Sequence, residues 1–280
     1  MNSKRFIITC LGFILIATAI FAIEKHSSTI LPTDIIKYDN INLSQFKNGN
    51  DIFITPKELN AKLNYKNLVI LDASHPKVYS KGHIPGAVSI GFKGLSNCNG
   101  KPGDKKWGTV LDKARLTKKL ESLGITNDSF VVAYSDIFKG PGAGGRAVWQ
   151  MKMAGLKNVR LLYGGLKVWK RSGYKLSKET VKPVPANGLV LQDYNETYRS
   201  EQKYIFENLK SLKLVDVRSF KEFTGEDTHR GEARGGHIKG SKWLEWKDLL
   251  NEDSTPRSPK QIKRLLAEKG IMPMDDFILY

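Results

Sequence analysis

The chain repeats itself, and the repeat constrains its fold more than any other feature. At a spacing of about 146 residues the same ordered set of signals recurs. Leu68-Val69-Ile70-Leu71-Asp72 is a short apolar run ending in an acid, and Leu212-Lys213-Leu214-Val215-Asp216 is its partner. Tyr79 and then Gly82-His83-Ile84-Pro85-Gly86-Ala87 follow the first run. Phe223 and then Gly236-His237-Ile238-Lys239-Gly240-Ser241 follow the second, after an insertion from Gly225 to Arg234. Apolar residues at helical spacing come next, from Leu116 to Leu123 before Gly124 and from Ile262 through Leu265 and Leu266 to Gly270. A second apolar run closes each set, Val131-Val132-Ala133-Tyr134 and Phe277-Ile278-Leu279-Tyr280.

Short apolar strands alternating with helices predict an α/β fold, with open parallel sheets flanked by helices in each copy. Two helix starts are marked by capping boxes, Thr55-Pro56-Lys57-Glu58 and Ser258-Pro259-Lys260-Gln261. The stretch Lys182-Pro183-Val184-Pro185-Ala186-Asn187-Gly188 has the composition of a linker. Asp72 and Asp216, at strand ends, are expected in the crevice where such sheets bind ligands. His83 and His237 follow them in turns and are expected to bond backbone groups. Neither histidine has a second ligand at a suitable spacing, so no metal and no cofactor is expected.

The N-terminus sets the compartment. Lys4 and Arg5 precede an uncharged run from Phe6 to Ile23, the layout of a secretory signal. Cleavage near Ala17-Thr18-Ala19 removes it, and an uncleaved run would be a short membrane anchor. Either way the rest is expected to be exported, to the periplasm or an equivalent extracytoplasmic space. Cys10 belongs to that run, which leaves Cys98 alone and rules out an internal disulfide. Cys98 lies in a polar loop with nothing near it that marks an activated thiolate, so it reads as an incidental loop residue. The formal charge of +17 favours small anions or anionic surfaces. Its basic residues are scattered without an aromatic stripe, which argues against nucleic acid.

A strand ending in Asp followed by Gly-His-Ile-x-Gly-Ala resembles the rhodanese domain. So does Leu162-Tyr163-Gly164-Gly165-Leu166, with Trp169, Ser172 and Gly173 after it. The arrangement resembles a tandem-rhodanese sulfurtransferase of the thiosulfate or 3-mercaptopyruvate type. With the signal or anchor over residues 1–22 and a linker over 179–205, the resemblance implies a non-catalytic rhodanese-like domain over 45–178 and the N-terminal part of a second domain over 206–280. It also implies a cysteine nucleophile directly after the central strand. Loop amides and a helix N-terminus there would lower its pKa. The sulfur donor would be a small anion and the acceptor a thiol or cyanide.

In the first copy Ser135 holds the nucleophile position, ahead of a long loop through Gly142, so that copy reads as silent. In the second copy the nucleophile is expected one residue beyond Tyr280. Three explanations compete for this end: a fragment, a disrupted gene, or a UGA selenocysteine codon read as stop. The last is adopted as the working expectation, because a selenol suits this chemistry and accounts for the position. Arg218, Arg230 and Arg234 are candidate contacts to the anionic part of a substrate. An ion pair of Arg218 with Glu222 is the competing structural reading. Two other functions fit the same fold: a catalytically inactive module used for binding or regulation, and a phosphatase-like enzyme with a larger loop.

Overall fold

The computed structural model describes residues 32–91, 93–229 and 231–280. The N-terminal apolar run, with its cleavage or anchor reading, lies outside these residues. No helix among the described residues is long and apolar enough to cross a membrane.

The first copy is built on five parallel strands. β1 (Phe53–Ile54), β2 (Leu68–Asp72), β3 (Ala87–Ser89), β6 (Phe130–Tyr134) and β7 (Val159–Leu162) stand in the order β1-β7-β6-β2-β3. A small antiparallel ribbon, β4 (Ser96–Asn97) with β5 (Thr109–Val110), leaves its side. Alternation along the central strands loads both faces of the sheet. Leu71, Val131 and Ala133 pack one way with Leu116, Leu120 and Met151. Ile70, Val132 and Tyr134 pack the other way with Leu59, Leu162 and Trp169. The Lys113–Ser122 helix covers the first face, starting earlier than the apolar spacing predicts because Asp112 accepts Arg115 N as an N-cap.

The second copy repeats the centre of this plan. β8 (Lys213–Asp216), β9 (Lys242–Trp243) and β10 (Phe277–Leu279) form a parallel sheet in the order β10-β8-β9. These strands stand for β6, β2 and β3, in matching register. Leu71 pairs with Ala133 and Val88 in the first sheet, and Val215 with Leu279 and Lys242 in the second. In the first copy β6 also pairs with β7 on its far side; no strand among the described residues stands there beside β10. The second core is small, with Val215, Leu244 and Ile271 buried and Leu249, Leu265 and Leu266 packed against them.

Both capping boxes form. Thr55 N donates to Glu58 Oε2 at 2.8 Å while Glu58 N donates to Thr55 Oγ1 at 3.1 Å. Ser258 and Gln261 make the same reciprocal pair at the start of the Pro259–Glu268 helix. The extended stretch between the copies lies on the first one: Leu189 and Leu191 are buried in its core, and Ala186 N donates to Glu121 O at 2.8 Å.

Candidate functional site

The crevice of each copy lies where its central strands end. In the first, Ala73 N donates to Tyr134 O at 2.8 Å, which holds the ends of β2 and β6 side by side. Asp72 is fully buried just below. Its Oδ1 accepts Ser74 N at 2.7 Å and its Oδ2 has no partner, so burial pushes the carboxyl pKa up. Tyr134 Oη accepts Ile84 N at 3.0 Å and thereby pins the Gly82-His83-Ile84 turn; burial raises its pKa as well. Ser135 follows β6, and its carbonyl accepts Leu166 N at 3.1 Å. That approach needs a glycine at 165, where a Cβ would stand 2.4 Å from Ser135 O. Ser74 Oγ accepts Asp136 N at 2.9 Å, and Asp136 pairs with Lys139 at 3.1 Å. The loop then reaches the Ala143–Met153 helix through Gly140 and Gly142. A cavity of about 120 Å³ remains, walled by Ser74, His75, Ser135, Lys139, Gly140 and Gly142.

The second crevice reproduces this frame with different chemistry. Val217 N donates to Tyr280 O at 2.9 Å and Tyr280 N to Val215 O at 3.0 Å. Tyr280 Oη accepts Ile238 N at 3.0 Å and donates to Ser241 Oγ at 2.7 Å. Tyr280 therefore occupies the place of Tyr134. Asp216 is fully buried, but unlike Asp72 it faces a cation. Arg218 donates from Nε to Oδ1 at 3.0 Å and from Nη2 to Oδ2 at 2.6 Å. The same Nη2 donates to Gly236 O at 2.8 Å, and Nη1 lies 3.6 Å from Glu232 Oε1. The Asp216 hydrogen bonds raise the Arg218 pKa above its ordinary value. Its guanidinium also lies over the Tyr280 ring, 5.7 Å from the centroid.

Arg218 thus ion-pairs with Asp216 and Glu232. Glu222 instead closes a capping box with Ser219 and lies 3.1 Å from His229 Nε2. Arg234 is exposed. Arg230 lies outside the described residues. The two histidines sit alike: His83 stacks on Tyr79 and His237 on Phe223, both at 3.8 Å. His83 places Nδ1 3.1 Å from Tyr79 O and Nε2 3.0 Å from Glu179 O, and His237 places Nδ1 2.8 Å from Phe223 O. Cys98 is a partly exposed free thiol beside β4. No group of three or more candidate metal ligands occurs among the described residues. Sequence reasoning passed over the two tyrosine hydroxyls, although a tyrosine at the same place in each copy was the available signal.

The chain and its fold have counterparts among known proteins. The rhodanese-like domain family matches residues 55–172. The sulfur carrier protein TtuD of Thermus thermophilus is 32% identical over 218 residues, 72% of each chain. A thiosulfate sulfurtransferase of Azotobacter vinelandii is 29% identical over 231 residues, 82% of each chain. Among solved structures, a variant of EanB with ergothioneine covalently linked to a cysteine persulfide superposes with a TM-score of 0.69 at 26% identity. That match covers 86% of this chain but 62% of EanB, so the chain spans about three fifths of that protein's length. The chain belongs to the rhodanese-type sulfurtransferase family.

Proposed function

We propose that the second copy moves sulfane sulfur from thiosulfate or 3-mercaptopyruvate to a thiol or cyanide acceptor, using a nucleophile at the place that corresponds to Ser135 in the first copy. The observation that carries this reading is the matched frame. The Tyr280–Ile238 bond duplicates the Tyr134–Ile84 bond, so a nucleophile at that place would face the crevice as Ser135 does. A thiolate or selenolate there attacks the outer sulfur of thiosulfate; the S–S bond breaks and sulfite leaves with the electron pair. The acceptor then attacks the sulfane sulfur of the persulfide or selenosulfide and regenerates the anion. The thiosulfate sulfurtransferase relative and the cysteine persulfide in EanB support this class of chemistry. The first copy, with Ser135 at the equivalent place, serves as a silent partner. The protein acts outside the cytoplasm, touching a membrane only if its N-terminal run is retained.

The full coding sequence tests the proposal. A cysteine or selenocysteine at the second copy's counterpart of Ser135 is expected, and the protein carrying it should transfer sulfur from thiosulfate to cyanide. Any other residue at that place overturns the reading. A protein with that residue but without transfer activity favours the second reading, a non-catalytic binding or regulatory module. One observation already supports that alternative: the Arg218 guanidinium is engaged by Asp216, Gly236 and Glu232.

A further inference from the structure

One segment of the second copy, residues 244–256, runs from its crevice to the N-terminal helix Pro32–Asp39. At the crevice end, Leu244 N donates to Asp216 O and Trp246 N to Val217 O, both at 3.0 Å. Val217 in turn donates to Tyr280 O, so Trp246 is two backbone links from the residue that precedes the proposed nucleophile. The Trp246 ring lies against the first copy's loop, where a Cβ on Gly142 would stand 3.7 Å from Cζ3. A glycine suits this point twice over, since its φ is +66°.

At the far end, Asp253 is buried. Its carboxylate takes Lys37 Nζ and, at 2.8 Å, Tyr38 Oη, both from the N-terminal helix. It also accepts Thr255 N at 3.0 Å and Thr255 Oγ1 at 2.5 Å. Burial alone would raise the Asp253 pKa, but the Lys37, Thr255 and Tyr38 bonds outweigh it and hold the carboxyl well below the usual range. Lys167 of the first copy donates to Glu252 O at 2.5 Å. Ser254 sits at φ +72°, a left-handed conformation that a non-glycine residue keeps only where its surroundings hold it there. Between the two ends the chain is braced. Asn251 N donates to Thr255 O at 2.8 Å, Arg257 N to Leu249 O at 2.9 Å, and Leu249 packs on the second core.

We infer that residues 244–256 form a lever: capture of Asp253 by Lys37 and Tyr38 sets the seat of Trp246 beside the second crevice. Lys37, Tyr38 and Asp253 are then positioning residues for that crevice. Lys37 and Asp253 are 216 positions apart in sequence, so their pair forms at one relative placement of the two copies. The braced turn carries that placement to Trp246. The lever's importance for turnover rests on the proposed sulfur-transfer reading, but its existence does not.

Site-resolved amide hydrogen exchange on the full chain tests it without any activity measurement. Asp253→Asn should lower protection of the Leu244 and Trp246 amides by roughly tenfold, the scale of losing hydrogen bonds to a charged group. Tyr38→Phe and Lys37→Met should act in the same direction by less, and Leu71 and Val131 in the first core should stay protected. Loss confined to residues 251–256 would make Asp253 a local turn-former and overturn the lever. Uniform loss through both copies would make it a general stabiliser and overturn the lever equally. Full protection at Trp246 in Tyr38→Phe and Lys37→Met together would show that the N-terminal helix plays no part.

Discussion

Asp72 and Asp216 end equivalent strands, are both fully buried, and have opposite surroundings. In the second copy Arg218 closes on Asp216 through two charge-assisted bonds and goes on to Gly236 and Glu232. In the first, Ser74 stands two residues after Asp72, and one carboxylate oxygen has no partner. A crevice that holds an arginine at its strand end can bind or balance an anion. One that holds a serine beside an unpaired buried acid disfavours anions there. The first copy therefore differs from the second in the electrostatics of its strand end. What the two copies share is the frame: the Tyr134–Ile84 bond matches Tyr280–Ile238, and the stacked His83 matches His237.

The comparison can be tested one contact at a time. Arg218→Met should have the largest effect, because it strands a fully buried carboxylate. The second copy should lose about 3 kcal/mol in urea denaturation followed by Trp243 emission. Equal loss from the first copy's core amides would break the assignment of this pair to one copy. His83→Ala should cost about 2 kcal/mol in thermal unfolding, since both ring nitrogens face carbonyls and the ring is buried. His237→Ala, at an exposed ring, should cost less than half as much.

Asp72→Asn should act in the opposite direction and stabilise the first copy by about 1 kcal/mol at neutral pH. The sign follows from its raised pKa: stability is full below the unfolded carboxyl value of about 3.9 and falls as pH rises through the higher folded value. Melting curves at several pH values should show that slope in the parent and a shallower one in the variant. A steeper slope in the variant would contradict an unpaired Asp72. Ser135→Ala should be the smallest change, within about 0.5 kcal/mol in thermal unfolding. A larger loss would show that the Ser135 side chain helps to hold the loop after β6.

Much of the fold was legible before any coordinates. Leu68–Asp72 reads as a buried strand because it is apolar from Leu68 to Leu71, and both faces of β2 are indeed covered. The Thr55 and Ser258 caps are local chemistry spanning three residues, which is why the pattern alone predicts them. The repeat put Asp72 and Asp216 at strand ends facing the crevice; both do end their strands, but the structure buries them completely. The partners of Arg218 were harder. Glu222 is one helical turn away along the chain, yet the Ser219 cap takes it and leaves Arg218 to curl back on Asp216.

The sequence by itself determined the two-copy plan and the strand and helix order. Those follow from periodicity, capping and spacing, which act over a few residues and survive repetition. Only the tertiary structure decided that Tyr134 and Tyr280 pin their Gly-His-Ile turns, that Trp246 rests on Gly142, and that Asp253 is held by the N-terminal helix. Those contacts join residues tens to hundreds of positions apart. Such pairs form when packed cores bring their elements together, and no local pattern in the chain encodes which buried carboxylate meets which cation.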